Sequence, residues 1–526
     1  MIMRIKSMAQ LLVSPYLFLS LYVLFLYLYN FKLAEVYLSP FHPVFILWGL
    51  VTFYINIVRT GIWRTLPYKH IVVLIVVSMM LSGLVNYQHG LIAAVKSIVL
   101  SFMSYAVVFG LAYQVISRRK GALSSVVVIL LPTVVTVIVS LAISLGMYFY
   151  EIGGILYIDG AKRLYGAALE YIGGGNVIVN ISGVMKDTNH MSVYGVIALG
   201  LMVIYLRNIY LIRNKVLRYL STALLIMGIL ITVIALSLLN SRGSQLALVC
   251  TLILLVPAGI MSVLHEVRPK WNRYFAAAVA LPIGVLAGAA VYFADLSIRS
   301  TIYDTTNPLD NRQSTIIYKD GEFKKSHPEM TSGAKPNNST SSTKEVSAHA
   351  SSLAPKTTPS ATSPTVKAEK QDWSGELAGT GNGRTLIWSE ALGIFLSSPL
   401  FGVGTDNRVA YAEANNIPIK WTKRWPNAHN SYIDVAIDYG IIGLGLVLAL
   451  IGSVIVRHIV RAYDKNRAMH IDTLLVLGMV VYMSLSAGLL SLLYHGINSI
   501  FAIYMILLAV LVYELKVGVS LRVKKG

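Results

Sequence analysis

The chain is predicted to be an all-α integral membrane protein of about 12 transmembrane helices. Both termini are expected in the cytoplasm, with one large extracytoplasmic loop before the tenth helix. Three observations predict this. Of 526 residues, 56% are hydrophobic and 13% charged, against roughly 45–50% apolar and about 25% charged in soluble domains. The apolar residues fall in runs near the roughly 20 that a helix needs to cross a bilayer. Lys and Arg collect in alternate loops, as positive-inside topology requires.

The runs, in order, are Leu11 to Tyr29, Pro43 to Val58, Ile71 to Val85, Ile92 to Ile116, Leu123 to Phe149 and Met191 to Leu206. Then come Tyr219 to Leu239, Gln245 to Leu264, Tyr274 to Ala294, Ile433 to Val456, Thr473 to Tyr494 and Ile497 to Leu515. The first carries Arg4 and Lys6 ahead of it like a signal peptide, but it lacks a small-residue cleavage site and is long enough to span. Basic loops hold Arg59, Arg64 and Lys69, then Arg118, Arg119 and Lys120, then Arg207, Arg213, Lys215 and Arg218. Arg268, Lys270 and Arg273 follow, and finally Arg457, Arg461, Lys465 and Arg467. The loops between them are poor in charge or balanced. The net charge of +20 is therefore a topology signal, and nucleic-acid binding is excluded. Cys250 stands alone in an apolar span, so neither a disulfide framework nor a thiolate metal site is expected.

This organisation divides the chain into a first membrane part, 1–294, containing an outer loop at 150–190, then an extracytoplasmic region, 295–432, and a last membrane part, 433–526. Within the outer region, 326–371 is Ser, Thr, Pro, Lys and Ala with almost no large apolar residues. Such a stretch buries too little surface to offset its ordering entropy, and a disordered linker is expected. From 379 to 432 the composition turns aromatic and glycine-rich. Leu386, Ile387, Glu390 and Ile394 are spaced for a helix lying on the membrane or the bundle. A folded, catalytic part is expected here.

His429 precedes Asn430 and Ser431, either of which can cap a helix beginning near Ile433. A helix N-terminus favours the neutral imidazole, and a neutral histidine suits a general base acting on a hydroxyl. The ordinary alternative is an interfacial histidine bonded to its own loop. Arg242, in the turn Asn240-Ser241-Arg242-Gly243-Ser244 between two apolar spans, should face a polar cavity or an anion. Its planar fork matches phosphate oxygens, and snorkelling to the surface is the competing account. Arg384 and the cluster Lys420, Lys423 and Arg424, interleaved with Trp421 and Trp425, add positive charge where topology does not ask for it. Asn430, Asp434 and Asp438 share one helix face at i, i+4 spacing. The helix dipole accounts for Asp434, whereas Asp438 lies deeper and invites a cavity-facing role. Asp187, Asn189 and His190 open the sixth span and offer polar groups to the same cavity.

The stretch GRTLIWSEALGIFLSSPLFGVG followed by HNSYIDVAIDYGIIGLG resembles the outer loop and following helix of the O-antigen ligase and O-antigen polymerase superfamily of bacterial membrane glycosyltransferases. The NSRGS turn and the DTNHMSVYG helix start are similar to that family's upstream elements. The resemblance covers about Asp187 to Gly445. It implies transfer of an oligosaccharide from an undecaprenyl-diphosphate carrier to an acceptor sugar hydroxyl, with inversion, on the outer face of the bacterial inner membrane. No cofactor, nucleotide sugar or obligatory metal is implied. Carried across by position, His429 becomes the catalytic base, and Arg242 and Arg384 become clamps on the diphosphate. Asn430, Tyr432, Asp438, Arg424, Asn189 and His190 are secondary candidates. The implied partners are the lipid-linked donor, a glycan acceptor, the lipid bilayer and other polysaccharide-assembly membrane proteins.

Ligases and polymerases share these motifs, and the polymerase is taken as the first reading. A ligase acting on a lipid, protein or cell-wall acceptor is the alternative. From another class comes a lipid-linked oligosaccharide flippase, which should place ionisable or helix-breaking residues near the bilayer midplane. The charges here gather instead at the outer ends of spans and in one loop.

Overall fold

The structure, a computed structural model, describes residues 10–517 apart from 32–33, 90, 119–121, 150–152, 159–160, 173–175, 184–187, 240, 268–272, 307–314, 320–321, 327–383, 425–426, 463–468 and 493–497. Most of the predicted linker, with Asp187 and Trp425, lies outside the described residues.

Every predicted apolar run contains a helix. The first half comprises α1 (Pro15–Tyr29), α2 (His42–Phe53), α3 (Lys69–Val85), α4 (Leu91–Phe102), α5 (Phe109–Arg118) and α6 (Ala122–Phe149). These are followed by α7 (Thr188–Arg207), α8 (Lys215–Leu238), α9 (Arg242–Val267) and α10 (Arg273–Thr306). The segment between α10 and the last three helices supplies α11 (Arg384–Ser397) and α12 (Arg408–Ala414). The chain then closes with α13 (Ser431–Ala462), α14 (Ile471–Ala487) and α15 (Ser499–Val517). Eight helical stretches among the described residues are long and apolar enough to cross a membrane. Four shorter apolar helices, Pro15–Tyr29, Lys69–Val85, Val279–Asp295 and Ile471–Ala487, coincide with the remaining predicted runs. The protein is multi-pass.

The helix α15 forms the centre of the bundle, packed against α1, α5, α6, α13 and α14. Its residues Ile500 to Val512 are all buried, as expected of a helix that is apolar on every side. By contrast, α8 exposes Leu220, Leu224, Met227 and Leu230, an apolar stripe suited to lipid.

Strands are present as well, so the all-α expectation describes the membrane part alone. The strands β1 (Gly153–Ile158), β2 (Ala161–Ile172), β3 (Asn176–Gly183), β4 (Thr315–Lys319) and β5 (Glu322–Ser326) form one sheet in the order β3-β2-β1-β4-β5. The pairings are antiparallel except β1 with β4, where Ile155 lies opposite Ile317. The sheet joins the loop after α6 to the segment after α10 and contacts α6 and α7.

One helix departs from the apolar span that its sequence suggests. At Gly440, α13 adopts φ 67°, ψ −172° and breaks its hydrogen-bond ladder. The segment 398–404 fills the break. The amides of Val403 and Gly404 donate to the carbonyls of Ile437 (2.8 Å) and Asp438 (3.0 Å), and the Ile441 amide donates to the Pro399 carbonyl (2.8 Å). From α3, the Ser82 hydroxyl also donates to the Asp438 carbonyl at 2.5 Å, and the Asn86 amide reaches the Gly402 carbonyl at 3.1 Å. Broken backbone at membrane depth is tolerated only when protein supplies the missing partners. The close approach requires glycine: a Cβ on Gly440 would stand 2.1 Å from the Leu400 oxygen, and one on Gly402 would stand 2.4 Å from the Asp438 carbonyl carbon.

Candidate functional site

The segment 384–430 folds on its own small core. Ile387, Ala391 and Ile394 of α11 are buried with Val403, Ala412, Ala428 and Ile437, so the helix face that the spacing predicted is met at Ile387 and Ile394, while Leu386 and Glu390 are only half-buried. The Glu390 carboxylate ties α11 to the short helix that follows α12. It accepts the amides of Lys420 and Thr422, both at 2.8 Å, and the Thr422 hydroxyl at 3.0 Å. Lys423 pairs with Glu413 at 2.7 Å on the surface. The Arg424 backbone ends the short helix Trp421–Arg424, and its side chain lies outside the described residues.

His429 sits on the turn entering α13, half-buried, with φ 50°. Left-handed backbone is uncommon for a residue other than glycine, and histidine and asparagine are among those that tolerate it. Asn430 is the cap: its side-chain oxygen accepts the amides of Tyr432 (3.0 Å) and Ile433 (3.2 Å). The helix consequently begins at Ser431, two residues before the position the sequence suggested.

The turn is tied on both sides. Ahead of His429, the Ala428 carbonyl accepts the indole N–H of Trp388 at 2.8 Å. The Ala428 amide donates to Asp434 Oδ1, also at 2.8 Å. Behind it, the amide and hydroxyl of Ser431 both donate to the Leu490 carbonyl, at 3.3 and 2.9 Å. Arg384 is half-buried at the start of α11, one turn before Trp388. The Trp388 bond therefore fixes the helix that carries Arg384 to the turn that carries His429.

Arg242 is the first residue of α9, so the predicted turn is in part a helix start; its side chain lies outside the described residues. Its neighbours locate the backbone. The Ser241 hydroxyl donates to Asn189 Oδ1 at 2.8 Å, joining the start of α9 to the start of α7. Ser244 bonds to the Tyr482 hydroxyl of α14. From the other side, the Tyr432 hydroxyl donates to the Ser484 carbonyl at 2.7 Å and Ser491 donates to Asp434 at 2.5 Å. The last turn of α14 and the residues after it, 482–491, thus contact both the start of α9 and the start of α13. Asn189 and His190 are half-buried on the first turn of α7.

Asp438 differs from a cavity-facing carboxylate. It is fully buried, and its Oδ1 accepts Arg408 Nε at 2.7 Å. The same guanidinium donates through Nη1 to Asp434 Oδ1 at 2.5 Å and through Nη2 to the Asp434 carbonyl at 3.0 Å. Arg408 is 3% exposed and both carboxylates are 0% exposed. The sequence reading did not single out Arg408. The signal was available in Asp434 and Asp438, two acids one turn apart in an apolar span, which require a cation at membrane depth.

The starts of α7, α9, α11 and α13 therefore meet at one end of the bundle. The basic residues Arg242 and Arg384 and the turn of His429 belong to elements joined by direct hydrogen bonds or through α14. Residues 227–448 match the family model described as O-antigen ligase. A search of the curated proteins finds no match.

Proposed function

We propose that the chain, whose residues 227–448 match the O-antigen ligase family model, transfers an undecaprenyl-diphosphate-linked oligosaccharide to an acceptor sugar hydroxyl at the outer face of the bacterial inner membrane. His429 is the general base. As the acceptor oxygen attacks the anomeric carbon, its proton passes to the imidazole and the bond to the diphosphate oxygen breaks from the opposite face, inverting the centre. Arg242 and Arg384 hold the diphosphate, whose charge grows as it leaves; fixed guanidinium groups stabilise such a transition state. The donor is a lipid-linked glycan and the acceptor is the growing chain or its lipid-linked precursor, so the enzyme acts as a polymerase. Asn430 and Tyr432 shape the turn of His429, and Asn189, His190 and Arg424 flank the substrate.

The observation that carries this reading is the bond from Trp388 to Ala428 at 2.8 Å. It couples the helix of Arg384 to the turn of His429, as a base and a diphosphate clamp acting on one substrate require. The flippase alternative looks for ligands at broken backbone within the membrane. At Gly440 the carbonyls of 437 and 438 and the carboxylates of Asp434 and Asp438 have protein donors, which favours the enzyme.

The test is purified protein in nanodiscs given the lipid-linked oligosaccharide of its own pathway, with products resolved by gel and mass analysis. A ladder of repeats without a second acceptor is expected. Transfer only to an added lipid, protein or cell-wall acceptor would make it a ligase, and the absence of either product from folded protein would overturn the reading.

A further inference from the structure

We infer that Trp388, Asp434 and Arg408 form a positioning frame whose work is to hold the peptide of His429 in its left-handed conformation and so aim the imidazole; the inference rests on the role proposed for His429. The residue just before His429 has both its backbone polar groups held by side chains, one from α11 and one from α13. The Ala428 carbonyl is taken by Trp388 and its amide by Asp434, each at 2.8 Å. Asp434 is itself held from three directions, since Oδ1 accepts Arg408 Nη1 as well as the Ala428 amide, and Oδ2 accepts the Ser491 hydroxyl at 2.5 Å. Arg408 is fixed in turn by Asp438 at 2.7 Å. On the far side of His429, the Asp434 amide donates to the Asn430 carbonyl at 2.9 Å while the Asn430 side chain caps the helix.

A residue other than glycine persists at φ 50° only where its surroundings over-determine it. Here the frame supplies that determination. It also explains why an arginine and two aspartates are buried together, since a planar guanidinium can bind both carboxylates while the Asp434 oxygen that it binds also accepts the Ala428 amide. None of the three residues need touch the substrate. They act through the backbone of His429, and a displacement of about 1 Å in a reacting group costs on the order of 100-fold in rate.

The test uses the full-length protein in nanodiscs with its lipid-linked donor, and separates kcat from KM for the donor. Trp388→Phe keeps the aromatic packing and removes only the N–H. It is expected to lower kcat about 10- to 100-fold and leave KM within about twofold. Unchanged kcat, or a rise in KM alone, would overturn the frame. His429→Ala, assayed alongside, separates the two readings. An inactive His429→Ala with unimpaired Trp388→Phe removes the frame only, whereas a fully active His429→Ala removes the base and the frame's purpose together. Hydrogen exchange at the Ala428 amide gives a readout independent of activity and of whether Trp388→Phe folds. Strong protection in the unaltered protein is expected, and exchange as fast as that of an exposed loop amide would overturn the proposal.

Discussion

Arg408 and Asp434 meet at 2.5 Å, the arginine 3% and the aspartate 0% exposed. The same guanidinium binds Asp438 one turn further along α13. This is the most deeply buried set of ion pairs among the described residues at the end of the bundle where the site lies. It joins the segment 384–430 to α13.

Removing one partner from such a set leaves uncompensated charge in a dry environment. Arg408→Met is expected to destabilise the protein by about 3–5 kcal/mol, read as a lower unfolding temperature in detergent by fluorescence-detected size exclusion. Adding Asp434→Asn and Asp438→Asn should restore part of the loss, because neutral amides cost less to bury unpaired. A single variant as stable as the unaltered protein would contradict the burial described.

The break in α13 makes glycine obligatory at two positions and optional at others. Gly440→Ala and Gly402→Ala should each lower stability by several kcal/mol, since both need positive φ and a Cβ would meet backbone at 2.1 and 2.4 Å. Gly452→Ala, in the helical second half of α13 with nothing within 4 Å of its Cβ, should be neutral or slightly stabilising. The same thermal measurement distinguishes them.

For the proposed base, His429→Ala is expected to reduce product formation about 10²- to 10⁴-fold with the protein still present in the membrane. His429→Gly sharpens the experiment. Glycine adopts φ 50° without strain, so this variant should be at least as stable as the alanine variant and equally inactive. Activity near the unaltered level in either would show that the imidazole is not the base.

The cap next to it makes a different prediction. Asn430→Ala removes the acceptor for two amides at the start of α13 and should cost about 0.5–2 kcal/mol, whereas Asn430→Asp should retain most of the stability. Thermal unfolding of the two variants checks this directly.

The apolar runs were legible because a bilayer imposes one length and one composition on every helix that crosses it. The cap, narrowed to Asn430 or Ser431, and two residues of the buried face of α11, Ile387 and Ile394, were legible for a similar reason: both depend on local chemistry and spacing. The sheet was read as loop, although Val177, Ile178, Val179 and Ile181 are β-branched residues typical of strands. Its decisive pairing, Ile155 with Ile317, joins segments far apart in the chain. The break at Gly440 was hidden for the same reason. The stretch from Gly440 to Gly445 reads as an ordinary apolar helix with small residues, and only the arrival of 399–404 determines which glycine turns left-handed. Arg408 escaped notice because its short helix has no amphipathic pattern, and its partners are named by the fold alone.

The plug at Gly440 also bears on how the chain is made. Its donors come from Ser82 and from 399–404, both synthesised before the carbonyls they bind. When α13 emerges from the ribosome, the surfaces that will satisfy its interrupted ladder already exist, provided the segment 384–408 has reached the correct side of the membrane. Until then, a bent α13 would carry bare peptide groups into lipid, so an unbroken helix is favoured. The bent form of α13 is therefore favoured only once 399–404 has docked against it.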